Sequence, residues 1–141
     1  MKKIFISSDH AGFRLKESIK VYLKNKKMDF HDLGPDNDNK VDYPDYAHKV
    51  ARKVKLNKKN VGILVCGSGI GMSMAANRHK KIRAAVCYSV KNTKLSRLHN
   101  NANIITLGAR LTNKTTAFKC IDVFINTKFE GGWHKKRVKK I

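Results

Sequence analysis

The sequence predicts an α/β fold, a five-stranded parallel sheet with helices on both faces. Three observations lead there. Short β-prone runs alternate along the 141 residues with segments whose apolar positions recur at helical spacing. One run, Val61–Cys66, is apolar throughout, as a strand buried on both faces must be. Polar, chemically capable residues fall directly after the first, third and fifth strands: Ser7-Ser8-Asp9-His10, Cys66-Gly67-Ser68 and Gly108-Ala109-Arg110. Open α/β sheets bind ligands beyond the carboxyl ends of their strands, so these residues predict one compact site at one sheet edge.

The elements follow in order. Residues 2–7 (KKIFIS) form the first strand, and residues 12–27 carry Phe13, Leu15, Ile19, Tyr22 and Leu23 mostly at helical spacing. A short second strand at 29–33 is closed by Gly34-Pro35 and the polar stretch PDNDNK. Pro44 suits the first turn of a helix, and Tyr46, Ala47, Val50, Ala51 and Val54 mark its apolar side. The third strand, Val61–Cys66, leads through a glycine-rich loop to a helix at 70–78. A fourth strand at 83–87 precedes a helix at 90–99. The fifth strand, 104–107, ends at Gly108, and a Thr-rich start opens a helix over 112–126. From about residue 131, after Gly131-Gly132, a short basic helix closes a single domain spanning 1–141. Repeated β-α units of this length favour parallel pairing with helical crossovers.

Composition narrows the function. Hydrophobic residues make up 41% of the chain in short runs, which argues against disorder. No stretch approaches the ~18 apolar residues of a membrane span. The start, MKKIFISSDHAG, has an apolar run too brief for a secretory signal. Three cysteines, Cys66, Cys87 and Cys120, are widely spaced and odd in number, which fits a reducing cytoplasm better than a disulfide framework or a zinc clip. The net charge of +21 raises the question of a nucleic-acid partner. The lysines are spread over every segment without aromatic interleaving, which favours solvated helix faces.

The stretch VGILVCGSGIGMSMAANR (61–78) carries the most chemical information. A dinucleotide fingerprint needs a third glycine where Met72 stands, and an acidic residue about twenty positions on that is missing; no P-loop Gly-Lys-Ser/Thr exists either. What remains is a nest of backbone N–H groups at a helix N-terminus, suited to an oxyanion or phosphate. Cys66 at its mouth is either the last apolar residue of a strand or a usable base or nucleophile. The glycine loop beside it favours chemistry.

Several motifs in order extend that reading: SSDHAG (7–12), DYPDYA (42–47), VCGSGIGMSMAANR (65–78), SRLHNNANIITLGAR (96–110) and FEGGWHKKRV (129–138). Together they resemble the ribose-5-phosphate isomerase B family, which also contains galactose-6-phosphate isomerase subunits. The resemblance covers nearly the whole chain. It implies a Rossmann-like fold, a homodimer or dimer of dimers with active sites shared between chains, and no metal or organic cofactor. It also implies interconversion of ribose 5-phosphate and ribulose 5-phosphate in the pentose phosphate pathway.

By that resemblance Cys66 moves a proton between C1 and C2, Ser68 shuttles the proton between the two oxygens, and the N–H groups of Gly67, Ser68, Gly69, Ile70 and Gly71 hold the enediolate. His99, with Asp9 in support, opens the sugar ring. His10, Arg110 and Arg137 match phosphate ligands, Asn100 falls among the substrate-binding positions, and Tyr43 either lines the site near the sugar or simply packs at a helix start.

The chain departs from the family pattern at Trp133, where arginine is usual, and at Asn101, where an acid is usual. A tryptophan cannot pair with phosphate, so His134, Lys135 or Lys136 would have to substitute. Met72, Ser73 and Met74 offer no carboxylate in place of the thiol, leaving Cys66 as the base. Two rivals stay open: the same reaction on a six-carbon sugar phosphate such as allose or galactose 6-phosphate, and a basic nucleic-acid-binding protein.

Overall fold

The computed structural model describes residues 2–141. The elements are β1 (Ile4–Ser8), α1 (Phe13–Asn25), β2 (Phe30–Asp32), α2 (Tyr43–Val54), β3 (Val61–Cys66), α3 (Ile70–Ala76), β4 (Ala84–Val86), α4 (Val90–Leu98), β5 (Ile104–Gly108), α5 (Lys114–Asn126) and α6 (Trp133–Val138). All strand pairs are parallel, in the order β2-β1-β3-β5-β4. The three strands followed by polar chemistry are therefore neighbours at the centre of the sheet. No helix among the described residues is long and apolar enough to cross a membrane.

Alternation along the strands splits the core. Ile4, Ile6, Ile63, Val65 and Leu107 face Ile19 and Leu23 of α1 and Ile121 and Phe124 of α5. Phe5, Leu64, Cys66 and Ile104 face Val50 and Ala51 of α2 and Met72 and Ala76 of α3. Helices thus cover both faces, and the thiol belongs to the α2/α3 side.

The boundaries move for local reasons. β2 and β4 shrink to three residues each because they are the edge strands, with no central-strand burial to extend them. The helix expected to run to residue 78 stops at Ala76: the Asn77 side chain accepts from the N–H of Ala84 and donates to its carbonyl, at 2.7 and 3.0 Å, closing off the edge of β4. The final long helix begins at Lys114 rather than at 112, since Asn113 caps it by accepting from Thr116 N–H at 2.8 Å.

One lysine departs from the solvated pattern. Lys16 on α1 is fully buried, and its Nζ donates to Asp32 Oδ1 at 2.9 Å and to the Pro35 carbonyl at 2.7 Å. Lys20 approaches Asp32 Oδ2 at 2.6 Å. Burial disfavours charge on Asp32, but hydrogen bonds from Lys16, Lys20 and the Gly34 N–H outweigh it and hold the carboxyl below its ordinary range.

Candidate active site

Cys66 is the last residue of β3, 5% exposed, and its register partner is Gly108 at the end of β5. The backbone then crosses to β5: Ala109 N–H donates to the Cys66 carbonyl at 2.8 Å and Arg110 N–H to the Gly67 carbonyl at 3.0 Å. These bonds bring Arg110 over the loop, close enough that a Cβ on Gly67 would stand 3.0 Å from its Nη1.

Two glycines shape the thiol's surroundings. Gly69 has φ +78°, a left-handed conformation costly for any residue with a Cβ, and this turns its N–H onto Cys66 Sγ at 3.1 Å. Gly71 lies under the Tyr43 ring, where an added Cβ would sit 2.5 Å from Cε1. The loop also spends a donor internally, since Ile70 N–H points to Ser68 Oγ at 3.2 Å.

The result is an open cavity of about 550 Å³ at the carboxyl edge of the sheet. Cys66, Gly67, Ser68, Ile70 and Gly71 line it from the β3–α3 loop, Asp9 from the end of β1, Arg110 from beyond β5 and Tyr43 from the start of α2. Asp9 is buried and already oriented, its Oδ1 accepting from Gly12 N–H at 2.9 Å. Met74 and Leu111 also line the cavity. Sequence reasoning passed over both, although Met74 follows Ile70 by one helical turn and Leu111 follows Arg110 directly.

Not every expected residue gathers there. Gly69 lies behind the cavity wall, with its N–H committed to the sulfur, so it supports the thiol rather than a ligand. His10 adjoins Asp9, but its Nδ1 accepts from Val41 N–H at 3.2 Å, and it does not line the cavity. His99 is the C-cap of α4, Asn100 follows it, and Arg137 is on α6. In a parallel sheet the helices run back, so the end of α4 lies at the amino edge; Asn100 there shares a second hollow with Arg83 and Ala84, at the start of β4. β3 alone spans roughly 20 Å between the two edges. Within one chain the carboxyl edge gathers Asp9, Cys66, Gly67, Ser68 and Arg110, and the sheet separates His99, Asn100 and Arg137 from them.

At the amino edge His99 stacks on His134 with ring centroids 4.2 Å apart, and Glu130 Oε2 lies 4.0 Å from His99 Nε2 and 3.9 Å from His134 Nε2. Trp133 is 75% exposed; its indole N–H donates to His134 Nε2 at 3.2 Å, and the Arg137 guanidinium packs over its ring.

The other two thiols differ from Cys66 in setting. Cys87 and Cys120 lie in the α1/α5 core, where burial pushes Cys87 up to about 11 and also raises Cys120.

The sequence model of the Ribose/Galactose Isomerase family matches residues 4–141. The chain belongs to that family. It is 39% identical to ribose-5-phosphate isomerase B of Escherichia coli over 141 residues, covering 100% of this chain and 95% of the relative. The crystal structure of ribose-5-phosphate isomerase B from Mycoplasma genitalium with bound ribulose-5-phosphate superposes with a TM-score of 0.95 at 45% identity, covering 99% of this chain and 93% of that one. The enzyme from Thermotoga maritima superposes equally well, with a TM-score of 0.95 at 48% identity, covering 98% and 95%. The ribose/galactose isomerase fold is thus the sheet described above, and its carboxyl edge here holds the thiol, the N–H loop and an arginine.

Proposed function

We propose that this chain is an aldose–ketose isomerase that interconverts ribose 5-phosphate and ribulose 5-phosphate through an enediolate, with Cys66 as the base. The observation that carries this reading is the cavity itself: a thiol at its inner wall, loop N–H groups beside it and Arg110 at its side, in a chain 45% identical to a protein crystallised with ribulose-5-phosphate. The residues supply each need of the reaction. Removing the proton from C2 of the open aldose builds negative charge on the carbonyl oxygen, and the N–H groups of Gly67, Ser68 and Gly71 can be met by that oxygen. The thiol then returns the proton to C1, while Ser68 Oγ passes a proton between the two oxygens. Gly69 N–H, fixed on the sulfur, is a donor suited to the thiolate form of the base.

Ring opening needs an acid at the ring oxygen, the part assigned to His99 with Asp9 in support. A single chain holds these on opposite edges, so the working unit in this reading is a dimer in which each copy's amino edge closes the other's cavity. An apolar rim supports that: Tyr43, Ile70, Met74 and Leu111 surround the cavity and are 41, 47, 66 and 70% exposed. The second copy would also bring Asn100 and Arg137, so phosphate would meet Arg110 from one chain and Arg137 from the other, with His10 nearby. A cytosolic enzyme of small phosphorylated sugars needs no separate partner for its positive charge.

The test is turnover of ribose 5-phosphate without added metal by wild type and Cys66→Ala. Conversion by wild type and its loss in a folded Cys66→Ala protein is expected. Turnover of allose or galactose 6-phosphate in its place would overturn the substrate assignment while keeping the base, and full activity in Cys66→Ala would overturn the base.

A further inference from the structure

The amino-edge cluster has a chemistry that isomerisation does not require. His99, Glu130 and His134 each present one donor atom, and the three lie within 4.8 Å of one another. They come from separate segments joined locally: Glu130 N–H donates to the Leu98 carbonyl at 3.1 Å, which ties the 127–132 stretch to the end of α4 just before His99. Two imidazoles and a carboxylate around an open position are the donor set of many zinc sites. Adjacent ligand atoms of tetrahedral Zn²⁺ stand roughly 3.3 Å apart, so the 3.9 and 4.0 Å separations from Glu130 are near that spacing, while the stacked His99 and His134 rings must turn for both lone pairs to meet one ion. His134 Nε2 faces the Trp133 indole N–H at 3.2 Å, so a cation has to displace that contact to reach the nitrogen. Trp133 can release that contact to water, being 75% exposed.

We propose that His99, Glu130 and His134 form a binding site for a borderline divalent cation of the Zn²⁺ class, and that occupancy withdraws His99 from ring opening. The lysines and Arg137 on α6 repel any cation, which selects for ions that form coordinate bonds to imidazole over Mg²⁺ or Ca²⁺. The metal is thus an inhibitor of this enzyme rather than its cofactor. Binding stands on the cluster's geometry alone; the inhibition rests on the proposed part of His99.

Trp133 is the sole tryptophan of the chain and touches one of the ligands, so the protein carries its own reporter. Zn²⁺ titration of the full chain followed by tryptophan fluorescence is expected to give a saturable change at one ion per chain, and Mg²⁺ none. His99→Ala and Glu130→Gln leave the Trp133–His134 contact in place and are expected to weaken the Zn²⁺ midpoint at least tenfold, whereas Cys66→Ser leaves it unchanged. An unchanged midpoint in His99→Ala or Glu130→Gln, loss of the response in Cys66→Ser, or no saturable response to Zn²⁺ would overturn the site. Ribose 5-phosphate turnover by wild type is expected to fall with the same Zn²⁺ midpoint. Saturable binding without that fall would overturn the inhibitory role while leaving the metal site and the Cys66 chemistry standing.

Discussion

The two edges of the sheet are built by different means. At the carboxyl edge the backbone does most of the work: strand ends in register, a left-handed glycine aiming an N–H at sulfur, and a second glycine lying under an aromatic ring. At the amino edge exposed and half-buried side chains from α4, the 127–132 stretch and α6 meet one another, joined by bonds such as Glu130 N–H to Leu98. Backbone geometry is disturbed by a substitution that adds bulk, whereas a side-chain cluster can change a member and still hold together. Trp133, on α6, stands in the second kind of region. The thiol and its glycines stand in the first.

The division predicts separable failures. Cys66→Ala should reduce turnover on the order of 10²–10⁴-fold, as removal of a general base does. His99→Ala should reduce turnover of ring-closed ribose 5-phosphate comparably, yet leave intact the exchange of a C1 hydrogen of ribulose 5-phosphate, an open-chain ketose, with solvent deuterium. Loss of exchange in His99→Ala as well as in Cys66→Ala would merge the two edges into one function. Mixing the two inactive proteins and allowing subunits to redistribute gives a sharper result. If the edges belong to different chains of a two-fold dimer, half the dimers are hybrids with one intact site of two, and about a quarter of wild-type activity returns. No recovery, with exchange of subunits verified by mass, would place both residues in the same chain's site.

A smaller effect is expected at the glycine under the tyrosine. An alanine Cβ at Gly71 would stand 2.5 Å from Tyr43 Cε1, so Gly71→Ala must displace the ring or the start of α3. A shift of that size beside the reacting atoms should cost on the order of tenfold to a hundredfold in kcat/KM. Adding Tyr43→Ala, which clears the space, should recover part of the loss. No recovery would mean that the glycine is needed for an N–H contact and not for room.

This contrast also governs what could be read from the sequence. Val61–Cys66 matched its strand residue for residue, because a continuous apolar run has one placement in a two-faced sheet. The cavity residues of the β3–α3 loop follow one another in the chain, so their proximity needed no tertiary knowledge. Edge strands β2 and β4 were overextended because hydrophobicity does not reveal where a ladder ends. His99 and Arg137 were legible only through resemblance, and their distance from Cys66 emerged only with the strand directions and the run of α4. The His99–Glu130–His134 cluster left no signal in spacing, since its first member lies some thirty residues from the other two. Nor could hydropathy announce that Lys16, in a chain of +21, would be the one lysine wholly enclosed.

That enclosed lysine sets the smallest and most specific expectation, one that concerns Asp32 at the end of edge strand β2. The Asp32 carboxyl is held below its ordinary range in the folded chain, so as acid is added the unfolded chain takes up this proton first. The stabilisation is fully present above the unfolded value of about 4 and is lost as the pH falls through the lower folded value. Lys16→Met removes two of the hydrogen bonds responsible, those to Oδ1 and Oδ2 at 2.9 and 3.1 Å, and leaves Lys20 and the Gly34 N–H. Its urea midpoint should therefore be lower than wild type at pH 7, with a smaller further decline between about pH 5 and pH 2. The difference between the two curves isolates the ion pair from the general loss of a buried contact, which would lower the midpoint equally at every pH. Parallel curves would show that Lys16 serves α1 and the Pro35 carbonyl alone, and that Lys20 suffices to keep Asp32 ionised.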